Sequence, residues 1–135
     1  GASTVIAGID VKSNLWGKKE LYTHSGTKSH KGNVVDYCIE LEKRGAGEIL
    51  VNSIDRDGMM KGYDIELLKE ISSALSIPVI ACGGAGNLEH LKELSLRTNV
   101  SAFAAGSIFV FKGPHKAVLI NYPSQQQLKE IWKEQ

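Results

Sequence analysis

The sequence predicts an α/β domain with four parallel strands, each followed by a helix, which is half of a (β/α)8 barrel. Two short apolar runs, Ile49–Val51 and Pro78–Ala81, are typical of strands buried on both faces of a parallel sheet. Each run precedes a segment whose apolar residues have helical spacing. Strands that alternate with helices indicate a parallel sheet. A full barrel has eight such units and about 250 residues, so we expect this (β/α)4 half to pair into one.

The first third of the chain predicts a strand, a hairpin, a loop and a helix. The strand is Thr4–Asp10, which ends in a carboxylate. Turn residues between apolar pairs in Leu15–Tyr22 favour a small hairpin. The polar segment Ser25–Gly32 is either a mobile lid or an exposed connector. Asn33 caps a helix that extends to about Arg44, and a glycine follows as its stop.

The rest of the chain continues in strand–helix order without a linker, so residues 1–135 are predicted to form one domain. Ile108–Tyr122 has no clear period and is predicted to be irregular, with at most one short helical turn. The other predicted elements are a strand from Glu48, a helix capped by Asp64, the strand Pro78–Ala81, a helix capped by Asn87, the strand Ala102–Ala105 and a helix capped by Ser124.

Composition and charge are those of an ordinary globular domain. Of 135 residues, 42% are hydrophobic and 23% are charged, and the formal net charge is +1. There is no basic stripe, so nucleic-acid binding is not expected. There is no run of membrane-spanning length and no signal-peptide pattern, which favours a cytoplasmic protein without membrane attachment. Cys38 and Cys82 lie in dissimilar contexts, which predicts reduced thiols.

Chemically active side chains are concentrated where the predicted strands end. Asn52, Asp55 and Asp57 follow one strand, Gly58 permits a turn after them, and Asp10 ends the first strand. Parallel folds place active sites at the carboxyl ends of their strands, where a carboxylate can act as a general acid or base. The structural alternative is that the acids of the loop cap a local turn and that Asp10 pairs with a neighbouring lysine.

Two successive strands end in turns of small residues, which predicts a phosphate site. Gly83–Gly86 precedes a helix, and Gly106–Ser107 follows the next strand. Glycines let backbone N–H groups approach an anion, and a helix N-terminus adds partial positive charge. One glycine cluster alone is more often a tight turn, but two in this order match the phosphate cradle of barrels. The predicted phosphate-binding residues are Gly58, Gly83, Gly84, Gly106 and Ser107.

The remaining titratable residues predict no metal and no cofactor. The four histidines lack metal-ligand spacing with one another or with the cysteines. His90 is interpreted as a helix-surface residue. Cys82 is interpreted as a small buried thiol rather than a nucleophile, because no histidine is obviously paired with it.

Four motifs resemble those of the cyclase subunit of imidazole glycerol phosphate synthase. They are Gly45–Gly58, Gly62–Asp64, Pro78–Gly86 and Ala104–Phe109. The resemblance covers essentially the whole chain and corresponds to the C-terminal half of that family's barrel. In addition, Phe109–Ser124 is similar to a branch associated with amidation of surface-polysaccharide sugars, in lipopolysaccharide biosynthesis, rather than with histidine biosynthesis.

The resemblance implies roles for individual residues. It makes Asp10 a catalytic acid or base and Asp57 a ligand-contacting aspartate, and both are catalytic candidates. Gly84 and Ser107 match the phosphate cradle. The implied activity is an ammonia-dependent cyclase, a lyase that acts on a bisphosphate and receives ammonia from a glutaminase docked at the opposite face. The candidate substrate-binding residues are Ser25, Gly26, Asn52 and Asp55.

The chain departs from that family in ways that leave the substrate open. Cys82 stands where the histidine-pathway enzymes often have serine, and Asn52 where they often have threonine. The half that would carry the family's other catalytic aspartate and second phosphate site is absent.

A half-barrel of this kind is expected to form a homodimer. Right-handed crossovers place the helices on one face of the sheet, which leaves the other face to water. Two copies would complete one barrel and bring both Asp10 side chains to a common mouth. One alternative is a phosphate-binding module, or a truncated fragment of a longer cyclase-like protein, without turnover. Another is a doubly wound, flavodoxin-like monomer with helices on both faces.

Overall fold

The structure is a computed structural model that describes residues 5–23, 28–30, 32–106, 111–112, 117–118 and 123–132. Its main sheet is built from β1 (Ile6–Ser13), β2 (Lys19–Thr23), β3 (Lys28–His30), β4 (Glu48–Ser53), β5 (Val79–Cys82) and β6 (Ala102–Ala104). Its helices are α1 (Val34–Lys43), α2 (Ile65–Ala74), α3 (Leu88–Arg97) and α4 (Gln125–Trp132). A separate antiparallel pair comprises β7 (Phe111–Lys112) and β8 (Ala117–Val118).

The sheet has the spatial order β3–β2–β1–β4–β5–β6. The four strands from β1 to β6 that are joined by helices pair in parallel. The hairpin strands β2 and β3 add antiparallel pairing at the outer edge of β1. The predicted parallel α/β half-barrel is therefore confirmed, since each crossover carries one helix and the strands follow one another in chain order.

The helices begin at the capping residues that the sequence predicts. Asn33 Oδ1 accepts hydrogen bonds from the backbone N–H of Val35 at 2.8 Å and of Asp36 at 3.2 Å. The Asn87 side chain accepts from His90 N at 3.0 Å, and Asp64 is the N-cap of α2. Before α4, the Ser124 hydroxyl accepts from Gln127 N while the Gln127 side chain accepts from Ser124 N. These bonds satisfy N–H groups that a helix start leaves free.

The helices cover one face of the sheet and leave the other face open. Ile49 and Val51 of β4 are 0% and 1% exposed, and they pack in the core beneath the helices. The alternate residues form two cross-strand rows on the opposite face, none of them fully buried. The rows are Gly8–Leu50–Ile80–Ala102 and Asp10–Asn52–Cys82–Ala104. Helices on one face overturn the doubly wound alternative, which needs them on both.

Two segments differ from their predictions. Lys28–His30, within the segment predicted to be a lid or a connector, forms β3 and pairs with β2, so this part of the segment belongs to the sheet edge. The predicted irregular segment contains β7 and β8 instead of a helical turn in its described residues. The rest of both segments lies outside the described residues.

A carboxylate at the end of α1 ties that helix to the loop between α2 and β5. Glu42 Oε1 accepts hydrogen bonds from the Ser76 hydroxyl at 2.6 Å, from Ser76 N at 2.8 Å and from Ile77 N at 3.1 Å. The Ser76 hydrogen bonds hold the pKa of Glu42 below its ordinary value. These bonds favour the charged form in the folded chain.

Acid should therefore weaken this clamp. Because the folded pKa is lowered, the stabilisation is present above the pKa of an unfolded glutamate, about 4.3, and is lost as pH falls through the folded pKa. Glu42→Gln should lower the urea midpoint at pH 6, and the difference from the parent chain should shrink as the pH falls below about 4.3, the pKa of an unfolded glutamate. Glu40→Gln, on the same helix and bonded to the Arg44 side chain, is the matched control. A Glu42→Gln deficit that stays constant with pH would contradict this role.

Candidate active site at the carboxyl edge of the sheet

Four residues from four strands form a row at the carboxyl edge of the open face. Asp10 pairs in register with Asn52, Asn52 with Cys82, and Cys82 with Ala104. Parallel strands end at the same edge, so residues far apart in sequence become neighbours there. The structure thus brings together two predicted residues, Asp10 and Asn52, and places the Cys82 thiol beside them.

The Asp10 carboxylate is held by an amide rather than by a lysine. Asn52 Nδ2 donates a hydrogen bond to Asp10 Oδ1 at 3.0 Å. The ion pairs among the described residues do not include one between Asp10 and Lys12. The Lys12 ammonium instead lies 5.6 Å from the centre of the Tyr22 ring. Within the described ranges no cation pairs with Asp10, which is partly open to the uncovered face.

A cavity of about 310 Å³ lies beside this row, at the ends of β5 and β6. It gathers most of the predicted phosphate site together with Asp57. Neither lysine nor arginine is among the described residues that line it. The lining is Asp57, Gly58, Cys82, Gly83, Gly84, Ala85, Ala104, Ala105 and Gly106. The predicted Ser107, Ser25 and Gly26 lie outside the described residues.

The glycine turn packs against the loop that joins β4 to α2. An added Cβ at Gly84 would lie 2.2 Å from the Gly62 carbonyl oxygen, and one at Gly86 would lie 2.2 Å from that of Met60. Gly62 N also donates to Gly84 O at 2.8 Å. Gly84 and Gly86 are thus required because two backbone segments are in contact there. The sequence indicated only that these glycines could let an anion approach.

The backbone N–H groups of Gly84 and Ala85 lie on the cavity lining. Neither Gly84 N nor Ala85 N has a hydrogen-bond acceptor among the described residues, although both residues are buried. Gly86 N, by contrast, donates to His90 Nδ1 at 3.0 Å. His90 is half-buried and its ring faces Gly62. The interpretation of His90 as a helix-surface residue is therefore wrong, because its ring joins the turn to the helix.

Tyr63 is a site residue that the sequence analysis missed. Its hydroxyl donates to the Ala104 carbonyl oxygen at 2.9 Å, which fastens the loop after β4 to the end of β6. The side chain is 3% exposed, and burial raises its pKa well above the ordinary tyrosine value. The phenol therefore stays protonated as a donor. The Gly62–Asp64 motif could have drawn attention to Tyr63. The motif does not identify the acceptor, however, because Ala104 lies 41 residues further along the chain.

Asp55 lies apart from the cavity lined by Asp57. Its Oδ2 accepts a hydrogen bond from Ser13 N at 2.6 Å, which joins the loop after β4 to the first hairpin. It lines a different cavity of about 300 Å³ that also contains Lys19, Arg56 and Lys61. The predicted local turn cap is replaced here by a contact across 42 residues.

The Cys82 thiol is unsuited to act as a nucleophile near neutral pH. Burial is the largest cause that raises its pKa, followed by the charge of Asp57, while a hydrogen bond from Gly83 N opposes the rise. A protonated thiol is a poor nucleophile. Cys82 thus lines the cavity with a small uncharged side chain. This agrees with its interpretation as a thiol that is not a nucleophile, although the side chain is partly rather than fully buried.

The described residues contain neither a cluster of metal-ligand side chains nor a helix that could cross a membrane. No group of three or more histidine, cysteine, aspartate or glutamate side chains is placed there to hold a metal ion. None of the helices in the described part of the chain has the length and apolar content needed to cross a membrane.

The fold and this row of residues define half of a (β/α)8 barrel with a polar site at the carboxyl ends of its strands. Residues 1–115 match the family described as "Histidine biosynthesis protein", and the chain belongs to that family.

Individual relatives agree with this assignment. The chain is 47% identical over 128 residues to "Putative imidazole glycerol phosphate synthase subunit hisF2" of Pseudomonas aeruginosa, which covers 95% of the chain and 51% of the relative. It is 48% identical over 113 residues to "Imidazole glycerol phosphate synthase subunit HisF" of Hyphomonas neptunium, which covers 82% and 44% respectively. The resemblance to the cyclase subunit is confirmed. The chain spans about half the length of these relatives.

Proposed function

We propose that the chain binds a phosphorylated ligand, a sugar bisphosphate or a nucleotide-like molecule, at the carboxyl edge of its sheet and uses Asp10 in an ammonia-dependent cyclase reaction. The observation that carries this proposal is the row Asp10–Asn52–Cys82–Ala104 beside the cavity that Asp57 lines. A carboxylate with one amide partner and an open side can exchange a proton with a ligand.

Backbone donors supply the phosphate seat. The N–H groups of Gly84 and Ala85 have no acceptor among the described residues, and α3 begins shortly after them with its partial positive charge. Asp57 lines the same cavity and repels an anion. The phosphate would therefore lie against the glycine turn, and Asp57 would face the hydroxyl or N–H groups of the ligand.

A second copy of the chain would complete the barrel. β1 pairs with β2 only along Asp10–Ser13, so its outer edge at Ile6–Ile9 has no partner strand among the described residues. β6 is the other end of the sheet. Ile6 is 56% exposed on the open face, and exposed apolar surface with free strand edges favours association. Two copies would hold both ends of a bisphosphate.

The dimer would place two Asp10 side chains at one mouth. A proton donor and a proton acceptor must differ in protonation at the same moment, so the bound ligand would have to break the symmetry of the pair. Ammonia would come from a glutaminase partner at the opposite edge of the barrel. The reaction would then serve the amidation of a surface-polysaccharide sugar. A phosphate-binding module without turnover is the second candidate, favoured by the single described aspartate in the row.

Gly106 offers a test that leaves the fold intact. Gly106 is exposed and lines the cavity, and a Cβ added there would meet none of the described residues within 4 Å. Gly106→Asp should weaken binding of ribulose bisphosphate and of inorganic phosphate by roughly ten-fold, because it adds a negative charge at the proposed seat. Titration calorimetry measures the affinity.

Gly106→Asn has nearly the same size without the charge and is the matched control. It should bind within about two-fold of the parent chain, since added bulk alone costs little at an open site. Equal affinity of the Gly106→Asp and Gly106→Asn variants would show that the phosphate does not bind in this cavity.

A further inference from the structure

We propose that Asn52 is the positioning residue for the Asp10 carboxylate, a role that rests on the proposed function of Asp10. The two residues are register partners on adjacent parallel strands, 42 positions apart in the chain. The hydrogen bond that the described part of the chain supplies to the Asp10 side chain comes from Asn52 Nδ2, at 3.0 Å.

This bond fixes which way round the Asn52 amide lies. An ionised carboxylate only accepts hydrogen bonds, so it must face the NH2 end of the amide. Asn52 Oδ1 is then turned away from Asp10. It is a buried atom without a hydrogen-bond partner among the described residues. A Cβ at Gly83 would lie 3.1 Å from it, which places it against the start of the glycine turn.

An unpaired buried acceptor costs free energy, and another arrangement of the amide would relieve it only by giving up Asp10. The structure therefore keeps the hydrogen bond from Asn52 Nδ2 to Asp10 and leaves Asn52 Oδ1 without a partner among the described residues.

Burial alone does not hold the Asp10 carboxylate in one orientation. It lies on the open face of the sheet, partly exposed. A general base must be held within hydrogen-bond reach of the proton that it moves, and a second residue commonly orients it. An apolar side chain of similar size at position 52 would fill the space without restraining the carboxylate.

The direct test is the side-chain rotamer of Asp10, measured from three-bond couplings to its carboxyl carbon by NMR on the whole chain. We expect one rotamer in the parent chain and averaged rotamers in Asn52→Leu. Cys82→Ala, which changes the neighbour on the other side of Asn52 in the row, is the control and should leave Asp10 fixed. Unchanged Asp10 couplings in Asn52→Leu would overturn the proposal, whether or not a ligand binds.

The kinetic test asks whether Asn52 acts through Asp10. Asn52→Leu should lower kcat by roughly ten- to a hundred-fold, the effect of a misplaced catalytic group, with a smaller change in KM. The double variant Asp10→Asn/Asn52→Leu should be no slower than Asp10→Asn alone, since the positioned group is already lost. Losses that multiply would show that Asn52 acts independently and would overturn the proposal. If Asp10→Asn itself retains full turnover, the proposed function fails, while the rotamer experiment still decides the positioning.

Discussion

Gly84→Ala should destabilise the fold by roughly 3 kcal/mol or more, the combined cost of backbone strain and overpacking. Gly84 has a φ of +122°, which L side chains rarely adopt, and its added Cβ would lie 2.2 Å from the Gly62 carbonyl oxygen. That oxygen belongs to backbone that is itself bonded to the turn, because Gly62 N donates to Gly84 O. Neither segment can move away without breaking this bond. Urea unfolding followed by circular dichroism measures the loss.

Gly106→Ala is the control for this experiment. Both glycines line the same cavity, but in the part of the chain that the structure describes no atom lies within 4 Å of a Cβ added at Gly106. Its urea midpoint should match that of the parent chain within error. A Gly84→Ala variant as stable as Gly106→Ala would show that the turn and the loop after β4 are not in contact. A valine at Gly84 would disturb folding for the same reason, so Gly84 variants cannot test phosphate binding alone.

Asp10→Asn should lower ammonia-dependent turnover by roughly 10²- to 10⁴-fold, the usual contribution of a positioned acid or base. The substitution keeps the size of the side chain and an oxygen that can accept from Asn52 Nδ2, the donor in the parent chain at 3.0 Å. It removes only the group that exchanges a proton. Binding of ribulose bisphosphate should change far less, because the proposed phosphate seat lies at the glycine turn. A steady-state assay with ammonium ions and titration calorimetry separate the two effects.

Asp55→Asn is the matched control for lost charge. Asp55 carries the same group but accepts from Ser13 N beside a different cavity. Its variant should keep most of the turnover. Full activity of Asp10→Asn would exclude Asp10 as the acid or base. Binding without turnover in the parent chain as well as in the variant would leave the phosphate-binding module as the function.

Local features of the sequence predicted the elements well. The N-caps Asn33, Asp64 and Asn87 begin their helices as expected because a cap bonds within three residues of itself. The row of Asp10 and Asn52 was also foreseeable in outline, because both end strands of a parallel sheet.

Contacts between distant segments could not be predicted in the same way. The sequence shows that Gly84 is small, but not that the Gly62 carbonyl fills the space beside it. It shows a tyrosine at position 63, but not that its hydroxyl bonds Ala104 O, 41 residues away. His90 has helical spacing that suggests the surface, yet its Nδ1 accepts from the preceding turn. In each case the partner is set by tertiary packing.

We propose that the open face of the sheet is the interior of a barrel that a second copy completes. Light scattering of the purified chain measures this directly, and we expect twice the chain mass of 14.7 kDa. Leu50→Asp, in the middle of the open face, should return the chain to a folded monomer, since the helix-covered core is on the other side. A parent chain that is itself a folded monomer at 14.7 kDa would contradict the claim.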